Sequence, residues 1–115
     1  MRIIGGKFKN RVLEAPKGLK TRPTSSRVKE SLFNISQPYL EGANFLDLFS
    51  GSGSIGIEAI SRGACFVTFI ENDLQAHRCL KTNLEKFNLQ DQSILIKQDV
   101  LNSLSSLEVK TPYDL

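Results

Sequence analysis

A glycine-rich segment is the part of this sequence whose residue types and spacing most clearly suggest chemistry. Residues 51–56 read Gly-Ser-Gly-Ser-Ile-Gly and fit the spacing G-x-G-x-x-G. Glycines there let the backbone turn sharply and let a ligand approach the main chain, while the start of a following helix presents unpaired N–H groups. The segment predicts a site for a nucleotide-like ligand with an anionic group, and a plain glycine turn of an α/β protein is the alternative.

Asp47, which stands four residues before Gly51, narrows the class of ligand. Dinucleotide sites keep the strand before the loop apolar, because a carboxylate and phosphate oxygens repel each other. An acid at this position suits a ligand that carries an ammonium group and no phosphate, such as S-adenosylmethionine. The alternative interpretation of Asp47 is a solvated acid at the end of a strand.

Two further acids follow the next two predicted strands. Glu71 lies 20 residues after Gly51, where an acidic side chain can accept hydrogen bonds from both ribose hydroxyls. Asp99 takes the equivalent place one strand later and can accept a hydrogen bond from an adenine amino group. The alternatives are an exposed acid at a strand end for Glu71 and a helix N-cap for Asp99.

The other reactive side chains do not assemble into a second site. His77 is the single histidine and has no evident orienting partner, so we interpret it as a half-buried packing residue. The serines of residues 50–54 do not meet the nucleophile pattern G-x-S-x-G, which argues against hydrolase chemistry. Cys65 and Cys79 supply neither a disulfide framework nor the roughly four ligands of a zinc site, so no metal is predicted.

Alternating strand and helix signals must position these residues. The predicted order is a strand at 45–49, a helix from 54 to 62 ended by Gly63, a strand at 65–70, a helix capped by Asp73, a strand at 93–97, a short helix at 100–107 and the start of a strand at 111–115. Strands separated by helices form parallel βαβ units, so the fold class is α/β. Three to four such strands are about half of a doubly wound sheet, and we expect a truncated piece of a longer protein.

The N-terminal segment is strongly basic. Residues 1–38 hold nine Lys and Arg against two acids, a net charge of +7, whereas residues 39–115 carry a net charge of −4. Weak strand signals at 1–4 and 11–14 predict a hairpin, and a helix is predicted from the hydroxyl residues at 24–26 to Gln37, ending at Pro38. Such a cationic arm suits a phosphate backbone, and a solvated surface is the alternative.

The composition and the N-terminus of the chain indicate where the protein is located in the cell. With 40% hydrophobic and 23% charged residues the chain is typical of soluble globular proteins, and no apolar run approaches a membrane span. The N-terminus lacks the apolar stretch of a secretory signal. The length of 115 residues allows one domain, and we expect a cytoplasmic protein that acts as a monomer.

Three blocks of the sequence resemble a known family. They are Arg-Ile-Ile-Gly-Gly at 2–6 with Pro16, Thr-Arg-Pro-Thr-Ser-Ser-Arg-Val-Lys-Glu-Ser-Leu-Phe-Asn at 21–34, and Leu-Asp-Leu-Phe-Ser-Gly-Ser-Gly at 46–53. Together they resemble the RsmD-type methyltransferases, bacterial S-adenosylmethionine-dependent enzymes that methylate the exocyclic N2 of a guanine in small-subunit (16S) ribosomal RNA. The Arg-Pro-Thr block is the most specific of the three.

The resemblance implies a Rossmann-like methyltransferase fold and roles for named residues. Residues 1–38 would form an RNA-facing hairpin and helix, and residues 39–115 the first half of the methyltransferase domain. The cofactor S-adenosylmethionine would contact Asp47, Ser50, Gly51, Gly53, Glu71, Asn72, Asp99 and Val100. Ribosomal RNA, or a small-subunit assembly particle, would contact Arg2, Lys7, Lys9, Arg11, Lys20, Arg22 and Arg27.

No residue of the chain is assigned a catalytic role. The family's Asn/Asp-Pro-Pro-Tyr/Phe motif would follow the strand that begins near Tyr113, beyond Leu115. We expect the parent protein to methylate ribosomal RNA and the 115-residue chain to be inactive alone. The alternatives are a non-catalytic RNA-binding module with a vestigial cofactor fold, a methyltransferase of DNA or another RNA, and a nicotinamide-dependent oxidoreductase, which Asp47 and the basic arm disfavour.

Overall fold

The computed structural model describes residues 2–15, 26–48 and 50–96, and the structural statements below concern these residues. Its elements are α1 (Ser26–Leu40), β1 (Asn44–Leu48), α2 (Ser54–Ser61), β2 (Phe66–Ile70), α3 (Leu74–Lys86), a 3₁₀ turn (Gln90–Gln92) and β3 (Ser93–Ile96). The helix predicted at 100–107 and the strand predicted at 111–115 lie outside the described residues.

The sheet is parallel, with strand order β1-β2-β3, which confirms the predicted βαβ units. Leu48 pairs with Ile70, so β1 and β2 end at the same edge of the sheet. β2 is central, and its aromatic and β-branched side chains are buried from Val67 to Ile70. The segments that leave β1 and β2, which carry the predicted cofactor residues, therefore emerge side by side.

Helices α2 and α3 follow the local signals of the sequence. Gly63 (φ +118°) comes directly after the C-cap of α2, as predicted for the end of that helix. The Asp73 carboxylate caps α3 by accepting a hydrogen bond from the Ala76 N–H at 2.9 Å, which confirms the predicted N-cap. Leu80, Leu84 and Phe87 are buried in the core, as their spacing along the helix predicts.

The N-terminal segment pairs with itself as an antiparallel hairpin, as predicted, although the pairing is short. Arg2 and Val12 form a single bridge, flanked by hydrogen bonds from the Ile3 N–H to the Arg11 carbonyl (2.9 Å) and from the Asn10 N–H to the Ile3 carbonyl (2.7 Å). Ile3 and Leu13 are buried in the same hydrophobic cluster as the sheet and helices. The hairpin is therefore anchored to the core.

Helix α1 does not end at Pro38, so that prediction is wrong: the helix continues to Leu40 with Pro38 inside its last turn. A proline there removes one backbone hydrogen bond, and the complete burial of Leu40 offsets that loss. The buried face consists of Lys29, Phe33 and Leu40, whereas Ile35 is exposed. Among the described residues, no helix combines the length and the apolar character needed to cross a membrane.

Candidate functional site

The glycine loop between β1 and α2 adopts backbone conformations that its glycines permit. Gly51 has a φ of +56° and Gly53 a φ of +88°, and the Gly53 N–H donates to the Ser50 carbonyl at 2.8 Å. A Cβ placed on Gly53 would lie 2.2 Å from the Leu80 Cδ1 atom, so the loop also packs tightly on α3. A Cβ on Gly56 would lie 2.2 Å from the Phe69 ring, which explains the third glycine as a point of close helix–sheet contact.

Asp47 lies at the carboxyl end of β1, beneath this loop. Its side chain is buried, with 7% exposure, which excludes the alternative of a solvated acid. The Oδ2 atom accepts a hydrogen bond from the Gly56 N–H at 3.2 Å, so the carboxylate caps the first turn of α2. Ser50 Oγ donates to the Asp47 carbonyl at 2.8 Å and accepts from the Ile70 N–H at 3.1 Å, which joins the ends of the two strands.

The environment of Asp47 disfavours its negative charge. The pKa of its carboxyl is raised to about 7, mainly by burial. The negative charge of Glu71 also raises it, whereas the Gly56 N–H and the Ser50 hydroxyl lower it. A positively charged ligand group placed beside Asp47 would reverse this balance. Strongly shifted pKa values of this kind are a general mark of functional sites.

Glu71 follows β2 directly and faces the glycine loop. Its Oε1 atom accepts a hydrogen bond from the Gly51 N–H at 2.6 Å, and its Oε2 atom accepts one from the Asp73 N–H at 2.9 Å. The side chain is partly exposed. Two backbone donors thus fix the orientation of the carboxylate, and each oxygen keeps a further lone pair for another donor.

The structure brings several of the predicted cofactor residues together. Asp47, Ser50, Gly51, Gly53 and Glu71 share one edge of the sheet and are connected by the hydrogen bonds above. Asn72 is exposed next to Glu71. Two others lie outside the described residues, Asp99 and Val100.

A buried charged cluster beside this site is a feature that the sequence patterns did not predict. Glu58 of α2 is fully buried, and its carboxylate accepts hydrogen bonds from the N–H groups of Ile4 (2.9 Å) and Gly5 (2.8 Å) and from Arg62 Nε (2.8 Å). Lys29 Nζ completes the cluster at 3.2 Å from Oε1. Burial acts to raise the pKa of Glu58, but these donors and cations outweigh it and hold the pKa below its usual value. The sequence contains one signal of this cluster, because Glu58 is an acid inside the otherwise apolar stretch Ile55–Ile60.

The same cluster shows that one basic residue of the N-terminal segment, Lys29, is buried. Charge counting places Lys29 in the cationic arm, yet it is only 2% exposed and pairs with Glu58. Its ammonium also donates to the Arg2 carbonyl at 3.0 Å and to Ser54 Oγ at 3.1 Å, at the start of α2. Lys29 therefore ties α1 and the hairpin to the helix that carries the glycine loop, and its charge does not face solvent.

The predicted RNA-contacting residues are exposed wherever the structure describes them. They are Arg2, Lys7, Lys9, Arg11 and Arg27, whereas Lys20 and Arg22 lie outside the described residues.

His77 is partly buried and lines an open cavity of about 330 Å³ between α3 and β3. Cys65 and Cys79 are free thiols. No metal-binding group of three or more His, Cys, Asp or Glu occurs in the described part of the chain.

Comparisons with known proteins show which family the chain belongs to. A family model described as "Conserved hypothetical protein 95" matches residues 1–115. The ribosomal RNA small subunit methyltransferase D of Haemophilus influenzae is 40% identical over 116 residues, which cover 100% of this chain and 60% of that protein. This chain therefore spans less than two thirds of the length of that curated relative.

Solved structures share the fold. The hypothetical protein TTHA0928 of Thermus thermophilus has a TM-score of 0.83 at 32% identity, over 96% of this chain and 62% of its own. An O-methyltransferase from Bacillus cereus, solved in complex with SAH, has a TM-score of 0.70 at 20% identity, over 83% of this chain and 44% of its own. The Rossmann-like methyltransferase fold, present here as a three-stranded parallel sheet, and the RsmD-type resemblance are confirmed. The chain belongs to the RsmD family, whose model is described as "Conserved hypothetical protein 95".

Proposed function

We propose that the complete protein is an S-adenosylmethionine-dependent methyltransferase that modifies the exocyclic N2 of a guanine in 16S ribosomal RNA. One observation carries the cofactor assignment: the carboxylates of Asp47 and Glu71 flank a glycine loop where two adjacent parallel strands end. Ligands of open α/β sheets bind at this edge, outside the carboxyl ends of the strands.

The electrostatics of Asp47 favour a cationic ligand over a phosphate. Its carboxyl has a pKa of about 7, mainly because it is buried, so it is partly ionised near neutral pH. An ammonium group nearby stabilises the ionised form, whereas a phosphate adds a third negative charge to Asp47 and Glu71. This favours S-adenosylmethionine, which carries an α-ammonium and a sulfonium, over a nicotinamide dinucleotide.

Glu71 is suited to a pair of hydroxyls. The Gly51 and Asp73 N–H groups occupy one acceptor position on each carboxylate oxygen, so each oxygen keeps a further position for a ribose hydroxyl. The cofactor would supply an electrophilic methyl group on its sulfonium. The work of the described residues is to bind and orient that cofactor, with Asp47 at the methionine end and Glu71 at the ribose.

The RNA substrate is supported by the names of the relatives and by charge. The Haemophilus influenzae relative is a ribosomal RNA small subunit methyltransferase, and the described cations of the arm are exposed apart from Lys29. Cations in this density suit a phosphate backbone. A ribosomal RNA substrate also implies that the protein acts in the cytoplasm.

Methyl transfer to unmethylated small-subunit RNA tests the activity. The complete protein and the 115-residue chain are each incubated with radiolabelled S-adenosylmethionine and the RNA or its assembly particles, and the modified nucleotide is then identified. We expect N2-methylguanine with the complete protein and no label with the 115-residue chain. Label on another base or atom, or transfer by the 115-residue chain, would contradict the corresponding part of the proposal.

Calorimetric titration tests the cofactor site separately. We expect S-adenosylmethionine and S-adenosylhomocysteine to bind competitively and NAD not to bind. Asp47→Asn should weaken binding, whereas Asp91→Asn should not, because Asp91 is an exposed acid of the 3₁₀ turn that undergoes the same chemical substitution. RNA binding without any cofactor binding would favour a non-catalytic RNA-binding module.

A further inference from the structure

Two aromatic rings hold three cations together where the hairpin meets the end of α3. The rings of Phe8 and Phe87 lie with their centroids 5.1 Å apart. The Arg11 guanidinium lies 4.2 Å from the Phe87 ring centre and 5.5 Å from that of Phe8. Lys7 Nζ lies 5.1 Å from the Phe8 ring centre, and Lys86 Nζ lies 5.8 Å from that of Phe87. We name these five residues the aromatic-basic patch.

The positive charge of the patch is not neutralised by the described part of the protein. Ion pairs between described residues are confined to Glu58 with Lys29 and Arg62, and none involves the patch. All three cationic side chains of the patch are exposed. Cation–ring contacts orient these groups without removing their charge, so the patch keeps its full attraction for an anion.

Lys86 is the member that the sequence did not suggest. It belongs to α3, in the part of the chain whose net charge is negative, and 74 residues separate it from the hairpin residue it contacts. Its ammonium donates to the Val12 carbonyl at 2.7 Å, which holds it against the hairpin. An ammonium has three donors, so further N–H groups remain for a second acceptor.

The side chain of Arg11 is held in one orientation by an aromatic ring. Its guanidinium lies over the Phe87 ring, which reduces the freedom of the side chain while the residue as a whole stays exposed. A planar guanidinium held in this way can offer paired N–H donors to phosphate oxygens. The ammonium groups of Lys7 and Lys86, which contact the same two rings, add charge that a polyanionic backbone can neutralise.

We infer that the aromatic-basic patch binds backbone phosphates of the RNA substrate, and that the RNA path therefore continues from the hairpin onto the end of α3. The inference rests on the proposed RNA substrate. It extends the binding surface beyond the basic arm and assigns Lys86 to it. An acidic protein partner would meet the same charge, but the paired donors of Arg11 and the cations of the adjoining hairpin favour a phosphate backbone.

RNA binding over a salt series tests the inference with a matched pair of variants. Lys86→Gln and Lys81→Gln change the net charge equally on the same helix, but a separation of five residues turns Lys81 away from the patch, toward the cavity that His77 lines. We expect Lys86→Gln to weaken binding of a 16S transcript about five- to tenfold at 0.1 M salt and to reduce the salt slope by about 0.7–0.9. Lys81→Gln should leave both close to wild type.

A charge-conserving variant separates phosphate binding from a structural role. Lys86→Arg should restore the affinity and the salt slope, and the circular dichroism melting curve shows whether each variant is folded. Equal binding by the two Gln variants would overturn the inference while leaving the proposed function intact, as would a loss that Lys86→Arg does not rescue. If the wild-type protein binds no RNA at all, the proposed function itself fails. Competition by poly-glutamate as strong as by RNA would assign the patch to an acidic protein.

Discussion

Replacing Asp47 by asparagine should stabilise the fold while damaging the cofactor site. In the folded protein the pKa of this carboxyl is about 7 against an ordinary value of 3.8, mainly because the group is buried. Folding therefore disfavours the ionisation of Asp47. Below about pH 3.8 the carboxyl is protonated in both states and costs the fold nothing, whereas stability is lost as the pH rises toward 7. Asparagine keeps an oxygen that can accept from the Gly56 N–H, yet it carries no charge.

The size of the effect follows from the two pKa values. A difference of about three pKa units corresponds to roughly 4 kcal/mol once the carboxyl is ionised in both states, at about pH 8. The gain from Asp47→Asn should shrink to roughly 3 kcal/mol at about pH 6 and to about 1–2 kcal/mol at about pH 5, and it should vanish near about pH 3. Replacement of an exposed acid gives no such profile.

Urea unfolding followed by circular dichroism across this pH range measures the gain. Asp91→Asn is the matched control, since Asp91 is exposed. In the cofactor titration, wild-type affinity should fall about tenfold from about pH 8 to about pH 6 as Asp47 becomes protonated, and Asp47→Asn should bind weakly at every pH. A variant that is less stable than wild type above neutral pH, or whose gain does not depend on pH, would refute this account of Asp47.

Three further substitutions probe the surroundings of the site. Glu58→Ala leaves Lys29 buried without its carboxylate and should lower the free energy of unfolding by about 3–5 kcal/mol in urea titrations; a loss below about 1 kcal/mol would show that the cluster is not needed. Gly56→Ala forces a methyl group against the β2 side chains and should lower stability by about 1–3 kcal/mol, and an unchanged melting temperature would contradict the tight packing. Glu71→Gln should weaken S-adenosylmethionine binding and lower the pKa of Asp47, since it removes a neighbouring negative charge; carboxyl titration by NMR that shows no downward shift would contradict the coupling.

The sheet and the cofactor loop could be predicted because their signals are local. A capping Asp73, glycines at positive φ and the alternation of strand and helix patterns all act within a few residues. The place of Asp47 and Glu71 at one edge also follows from sequence, since parallel strands present their carboxyl ends together. The pattern did not predict that the Glu71 carboxylate accepts a hydrogen bond from the backbone of the loop and the Asp47 carboxylate one from the first turn of α2.

The rest could not be predicted because it depends on contacts between distant residues. Charge counting assigns Lys29 to the cationic arm, and only the folded chain shows the buried Glu58 that neutralises it. The prediction for the end of α1 is wrong because the preference of Pro38 is local, whereas the burial of Leu40 is a tertiary effect. The contact of Lys86 with the hairpin is also a tertiary effect, because 74 positions in the sequence separate it from Val12.

The attachment of the hairpin also determines when this part of the chain can fold during translation. The Ile4 N–H bonds to Glu58 across 54 residues, and the Glu14 N–H bonds to Asn83 Oδ1 across 69. Ribosomes make the hairpin first, but closing such long loops is slow and needs partners that are made much later. The basic hairpin of the nascent chain therefore lacks its folding partners until α2 and α3 have been synthesised, and during that time it is close to ribosomal RNA.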